Sequence, residues 1–374
     1  MITYIVLFFF LAVFSFTDYI YTPFIYRKLL LCTGGIFIFF VLWSLASLRW
    51  KTGTDWDSYY DTFYYFSEAH IINFEPGYIK LMAFIKEFTS NYTVYLAVFS
   101  FLCISIKFSF FFKYHKETFF TLILLFYCYY FADIFAVRQN LAISLTLFST
   151  IFIINRKPIF FSLFVALATS IHSSSILYFL AYFIYWRKIN DKTFYCFVCI
   201  SIFFGLSGGG LVLMNLVFKS LGIDGLIADK IAKYLNEDSE ALNTNINPVF
   251  LYLLGTIKRL IFIPVFMYIK NKSADKFQNI KGYFNLYMIG NIIYFLFAKD
   301  LAVFVRASVP FLFFEIMLLS YVLLHFKKNK RKLLPVFLIV LFFSLSRFNT
   351  LVNSYYDLYV PYYSIFDDRI ERKL

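Results

Sequence analysis

Long apolar stretches recur from one end of the chain to the other, parted only by short polar loops. A helix needs about 20 mostly apolar residues to cross a bilayer. Lipid offers no partner to an open backbone, so stretches of this kind fold as helices. Candidate spans are 2–16, 29–48, 92–112, 118–133, 139–154, 193–218, 248–269, 282–298, 301–324 and 333–346. Residues 76–88 form a shorter apolar helix carrying Lys80, Lys86 and Glu87, which reads as re-entrant or interfacial. Residues 158–185 are too long for one simple span and are broken by the polar run TSIHSSS. A hairpin of two short helices turning at 169–174 accommodates them. Composition points the same way: 61% of the chain is hydrophobic, 15% is charged and mean hydropathy is +0.71. A soluble domain is nearer half apolar and a quarter charged. The expectation is an all-α polytopic membrane bundle of about 10–12 spans with re-entrant or half-helices, in a single domain over residues 1–374.

The opening MITYIVLFFFLAVFSFTDY lacks the basic leader and small-residue cleavage site of a signal peptide and reads as an uncleaved first span. All five cysteines, Cys32, Cys103, Cys128, Cys196 and Cys199, sit in apolar runs. Cys196 and Cys199 have CxxC spacing, but no histidine or second cysteine pair stands near them. Lipid-buried thiols are expected rather than a zinc or redox site.

The net charge of +13 would suit a nucleic-acid binder, but its placement excludes that class. If the hairpin is accepted, loops 17–28, 113–117, 155–157, 186–192, 270–281 and 325–332 share one side. They hold 18 Lys and Arg against 4 Asp and Glu. Loops 49–75, 86–91, 133–138, 169–174, 219–247, 299–300 and 347–374 share the other, with 12 against 17. The positive-inside rule puts the first set, with its KKNKRK run at 327–332, in the cytoplasm. The loops 49–75 and 219–247 are then external.

Four polar elements fall on that external side. The first is RWKTGTDWDSYYDTFYYF, residues 49–66, where Thr54 or Asp55 caps a helix starting near Trp56 and Gly53 turns the chain. Asp55 is either that cap or a general base or sugar ligand. The second is NFEPGYIKLMAFIKEF, in which Pro76 suits the first helical position and Glu75 the cap. A carboxylate there equally suits acid/base work beside Asp55. The third is Arg138-Gln139 at the head of an apolar helix, where a guanidinium either snorkels or grips phosphate in a bidentate way. The fourth is His172 before three serines that cap a half-helix at 175–185, a satisfied turn or an anion site. Lys258 and Arg259 lie ~15 Å into their span and Arg306 ~9 Å into its own by helical rise. Charges at such depth face a cavity or a partner, for which Glu315 is a candidate.

Taken in order, these elements resemble the EpsG family of Wzy-like polysaccharide polymerases. The resemblance rests on Arg49, Gly53, Asp55 and Tyr59, then Glu75 to Tyr78, Arg138-Gln139, and His172 to Ser174. Arg306 and the late Tyr-Val-Pro-Tyr-Tyr at 359–363 match less specifically. It implies a multi-pass glycosyltransferase of the bacterial cytoplasmic membrane, resembling GT-C-like lipid-sugar transferases, with its site facing the periplasm or cell exterior. Its substrate would be an undecaprenyl-pyrophosphate-linked oligosaccharide, polymerised into O-antigen, capsule or exopolysaccharide. A chain-length regulator and a flippase would be its partners, besides the bilayer itself. Asp55, Glu75 and His172 would carry the chemistry. Arg49, Arg138, Gln139, Lys258, Arg259 and Arg306 would hold the pyrophosphate, with no metal or other cofactor needed. A lipid-linked-oligosaccharide flippase and an O-antigen ligase are the competing readings. A flippase predicts internal repeats of helix pairs, and none is visible.

Overall fold

The computed structural model describes residues 1–20, 23–67, 71, 74–220 and 247–367. Nearly all of them are helical. In chain order the helices are α1 (Ile2–Thr17), α2 (Phe24–Ser47), α3 (Trp56–Tyr65), α4 (Pro76–Lys86), α5 (Tyr92–Tyr114), α6 (Phe119–Tyr129), α7 (Phe131–Phe135), α8 (Arg138–Ile154), α9 (Pro158–Ile171) and α10 (Leu180–Ile184). There follow α11 (Asp191–Leu206), α12 (Gly209–Ser220), α13 (Pro248–Leu260), α14 (Phe262–Ser273), α15 (Ile280–Phe297), α16 (Ala302–Val305), α17 (Val309–Leu312), α18 (Phe314–Phe326), α19 (Lys330–Asn353) and α20 (Tyr356–Tyr359). Five of the described segments are long and apolar enough to cross a membrane: Phe24–Ser47, Tyr92–Tyr114, Pro248–Ser273, Arg306–Phe326 and Lys330–Asn353. The protein is an all-α, multi-pass membrane bundle.

Several expected spans are not single rods. The run 118–133 breaks at Tyr130, where the backbone leaves the helical region between α6 and α7. The run 193–218 breaks at Ser207-Gly208, and Gly208 takes φ +76°, which a side chain would resist. The run 301–324 is cut into short pieces around the Arg306–Ser308 3₁₀ turn. Pro310 withholds an N–H from the next turn there. The stretch 158–185 breaks at His172, as its polar run predicts, and resumes as a 3₁₀ helix over Ser173–Phe179. The loop 219–247, expected on the external side, lies almost wholly outside the described residues.

The chain divides into two compact units, Met1–Ser175 with Leu319–Leu374, and Ile176–Leu318. In the first, α6 is the axis. Every one of its residues is buried, as a helix apolar on nearly every face requires. α1 and α19 pack on it, while α2 packs on α5, α5 on α8, and α8 on α9. In the second, α15 is the axis and α11, α17 and α18's neighbours around Arg306–Ser308 lie along it. Gly205 of α11 comes so close that a Cβ would stand 2.0 Å from the Phe295 carbonyl oxygen. Such approaches through small residues are how membrane helices gain contact where lipid is as apolar as the partner.

Within the first unit the loops sort into two ends. At one, Arg27 pairs with Asp18 at 2.5 Å and donates to the Lys116 carbonyl, and Lys327 donates to the Asp18 carbonyl. That end joins the basic loops 17–28, 113–117 and 325–332. At the other, Trp50 N–H donates to Tyr363, Ile365 N–H to Leu48 and Gly53 N–H to Leu358. There the first aromatic loop is laced to the Tyr-rich segment near the C-terminus, around an isolated antiparallel bridge between Arg49 and Ser364. In the second unit, Lys270 and Asn271 bind Asp191, joining loops 186–192 and 270–281. Each of these contacts between loops joins members of one set in the charge count.

Candidate functional site

The platform for the site is an aromatic core shared by α3, α4, α5, α8 and α9. Trp56, Tyr59, Phe63, Tyr78, Tyr95 and Phe99 are among its buried members. α3 and α4 are short, and both ends of α4 stay on this platform. Glu75 meets the turn after α9, and Lys86 donates to the Phe63 carbonyl. With 11 residues, α4 is too short to cross a bilayer.

Three of the motifs converge on one carboxylate. Arg138 Nη1 lies 2.6 Å from Glu75 Oε2. The Ser173 N–H donates to Oε1 at 2.9 Å, and His172 Nδ1 stands 3.4 Å from the same oxygen. The Arg138 guanidinium also lies 4.9 Å over the Phe74 ring, and Tyr59 interacts with it from α3. Burial pushes the Glu75 carboxyl upward. The His172 imidazole, the Arg138 charge and the Ser173 N–H outweigh it and hold the group at about 2.

This corrects two sequence expectations. Glu75 occupies the cap position of α4, but its side chain makes no cap hydrogen bond. It turns away from its own helix to Arg138 and Ser173. Nor is Arg138 merely snorkelling, because it is ion-paired. The head of the helix after His172 does receive an anion, namely Glu75 itself.

Local sequence explains the convergence. Pro76 starts α4 without forfeiting a hydrogen bond. Gly77 then presses against the end of α9. A Cβ there would sit 2.3 Å from Ser170 Oγ and 2.6 Å from the Ser170 carbonyl oxygen. Only glycine lets α4 come near enough for Glu75 to reach Ser173.

A second cation belongs to the first motif. Arg49 is 2% exposed, and among the described residues its side chain has one hydrogen bond, at 3.3 Å to the Thr52 carbonyl, with the Phe135 ring beneath it. Burial holds it below the usual guanidinium range, while Tyr92, Tyr359, Tyr362 and Asp55 act the other way. Gly53, at φ +107°, leaves room for it: a Cβ there would be 3.0 Å from Arg49 Nη1. Asp55 is exposed and starts α3, yet its side chain forms no cap. Its charge acts on Arg49, Tyr59 and Tyr92. Gln139 is half-buried in the first turn of α8. Buried nitrogens without a hydrogen-bond partner gather on these elements: Arg49 Nε, Trp56 Nε1, Arg138 Nε and both ring nitrogens of His172.

Lys258, Arg259 and Arg306 belong to the second unit. Lys258 and Arg306 are exposed. Arg259 stacks 3.4 Å from the Tyr294 ring centre and donates to the Gly255 carbonyl.

Sequence reasoning missed Lys107. It is 1% exposed inside α5, and its ammonium binds the Asn140 side chain and carbonyl and the Ser144 hydroxyl of α8. Its signal was present, since it is the only charge between Tyr92 and Phe112. A buried cation in a span needs such partners, and here it ties α5 to the turn that carries Arg138.

A family model, described as the EpsG family, matches residues 33–364. Comparison with curated proteins and comparison with solved structures each returned no match.

Proposed function

Because the chain belongs to the EpsG family of Wzy-like polysaccharide polymerases, we propose that it elongates a polysaccharide with oligosaccharide units carried on a lipid pyrophosphate. An acceptor sugar hydroxyl attacks the anomeric carbon of the donor. The bond from that carbon to the pyrophosphate breaks, the lipid pyrophosphate departs with the electron pair, and the hydroxyl proton passes to a carboxylate.

The observation that carries this reading is the meeting of Glu75, Arg138 and His172, from three distant motifs, at one end of one unit. Arg138 is oriented by Glu75 and keeps an unpartnered Nε. A guanidinium so fixed suits the charge that grows on a departing phosphate. Asp55, exposed at the head of α3, is the proposed base. Glu75 is the positioning residue for Arg138 and His172. Trp50, Tyr60 and Tyr64 stand partly exposed on the same loop and helix. Their apolar faces and polar edges suit sugar rings. The undecaprenyl carrier, the outward-facing site and the cytoplasmic-membrane location belong to this same proposal, with O-antigen, capsule or exopolysaccharide as product.

The test is in vitro polymerisation by the purified protein on a lipid-pyrophosphate-linked oligosaccharide, read as a ladder on a gel. Wild type should give a ladder, and Arg138→Ala should give single units only. A wild-type ladder from Arg138→Ala removes Arg138 from the site. Transfer of finished polymer to another lipid, with no elongation, would make the protein a ligase.

A further inference from the structure

At the basic end of the first unit, opposite the Glu75 cluster along α2, lies a cavity of about 470 Å³. Four cations line it: Arg27, Lys28, Lys116 and Lys327. The carboxylates there are Asp18 and Glu117. Asp18 is fully committed, because it accepts from Arg27, from the Thr121 N–H at 2.8 Å and from the Thr121 hydroxyl at 2.9 Å. The cavity therefore keeps an excess of positive charge.

Two of those cations are held in place rather than free. Asp18 and the Lys116 carbonyl grip Arg27 by one nitrogen, and its other terminal nitrogen, Nη1, is buried with no partner. Lys327 is fixed by the Asp18 carbonyl at 2.9 Å. Cations fixed beside a cavity whose lining carries more positive than negative charge make a site for an anion.

Most of the other lining residues are apolar. Phe24, Leu31 and Cys32 line the cavity at helical spacing with Arg27 and Lys28, so head-binding and apolar side chains share one face of α2. Phe24 is 82% exposed, and Phe112 of α5 stands across from it. A soluble anion has no use for apolar side chains beside its charge. A phospholipid needs both.

The geometry points to a binding site for the phosphate headgroup of an anionic membrane lipid, with Arg27, Lys28, Lys116 and Lys327 on the headgroup and the Phe24–Leu31 face along its acyl chain. This site is separate from the polymerisation site and does not depend on that reading. Basic pockets between helices at the cytoplasmic surface bind such headgroups, each cation near the surface contributing about 1 kcal/mol.

The experiment uses the full chain in phosphatidylcholine nanodiscs, titrated with phosphatidylglycerol and read by native mass spectrometry. Wild type should retain one phosphatidylglycerol in preference to phosphatidylcholine. Lys28 is exposed and Lys116 rests over Phe112, so the Lys28→Gln/Lys116→Gln pair leaves the buried Asp18–Arg27 bond intact. It should weaken retention about 30-fold, at about fivefold per lysine. Lys113→Gln/Lys157→Gln removes equal charge from the same end, away from the cavity, and should change retention little. Equal retention of both lipids, an unchanged Lys28/Lys116 variant, or an equal loss in the Lys113/Lys157 control would each overturn the site. Inorganic phosphate that displaces the lipid at equal concentration would reduce it to a free-phosphate site and overturn the lipid assignment.

Discussion

Gly77→Ala is the sharpest probe of how the site is built. On an open helix, alanine in place of glycine stabilises by roughly 0.4–1 kcal/mol. Here the new Cβ would lie 2.3, 2.6 and 2.7 Å from Ser170 Oγ, O and Cβ. Ordinary carbon contacts are about 3.5–4.0 Å, so α4 must retreat by about 1 Å. Overpacking of that kind costs about 1–3 kcal/mol, and the net loss should be about 0–2.6 kcal/mol. The same retreat stretches the 2.9 Å bond between Ser173 and Glu75 out of hydrogen-bond range. A misplacement of about 1 Å can cost about 10²-fold in rate. Gly77→Ala should thus remain folded while polymerisation falls by about two orders of magnitude. Ser170→Gly in the same chain removes the hydroxyl and Cβ clashes but leaves the carbonyl oxygen, so rescue should be partial. Thermal melting in detergent and the in vitro ladder read the two effects separately. Normal melting with a normal ladder from Gly77→Ala would falsify the claim that close approach of α4 to α9 sets the site.

Arg138→Lys should fail in the ladder assay nearly as fully as Arg138→Ala, because a point charge cannot hold Glu75 and a phosphate in one plane; wild-type elongation by the lysine variant would show that charge alone suffices. Glu75, held at about 2 against 4.5 for an ordinary glutamate, stabilises the fold above pH ~4.5 and loses that contribution as pH falls through about 2. After discounting for partial exposure this is worth about 1–2 kcal/mol, so the melting gap between wild type and Glu75→Gln should be widest at neutral pH and close in acid. A gap that does not change with pH would remove the charge from the account. Lys107→Met should lower stability by about 1–3 kcal/mol, since Asn140 and Ser144 lose their donor in a dry interior, and should melt well below a surface variant such as Lys113→Met.

The spans were legible because lipid forces backbone closure and apolar length, and both are written in the sequence. The breaks were less so. His172 announced its own with flanking serines, whereas Tyr130 sits in an unbroken apolar run and bends through backbone geometry that no residue type there demands. The charge count assigned the motifs of the candidate site to one side before any packing was known. How its members pair was not legible. Glu75 before Pro76 has the form of a cap, and only the tertiary approach of Gly77 to Ser170 diverts it to Arg138. The partnership of the first loop with residues 358–365 joins segments some 300 residues apart by backbone bonds, which carry no side-chain signature.

Two carboxylates stand at this end in contrasting environments, and the contrast assigns their work. Glu75 is gripped by a guanidinium, a backbone N–H and an imidazole, and holds its charge down to about pH 2. A base so weak has little pull on a sugar hydroxyl, because proton transfer is most effective when the acceptor's pKa lies near the working pH. What such a group does well is fix its partners. It leaves Arg138 aimed, with Nε unspent, and keeps a compensating charge beside it whether or not phosphate is present. Asp55 has no ion-pair or hydrogen-bond partner for its carboxylate among the described residues, and it starts a helix without capping it. Removing charge at the two positions should therefore give different kinetics. Asp55→Asn should lower kcat with substrate still bound, since the base acts only as the proton leaves. Glu75→Gln should disturb KM and kcat together, since it releases Arg138 and His172 in the ground state as well. Equal loss of kcat alone in both variants would place both carboxylates on the reacting proton and break this division.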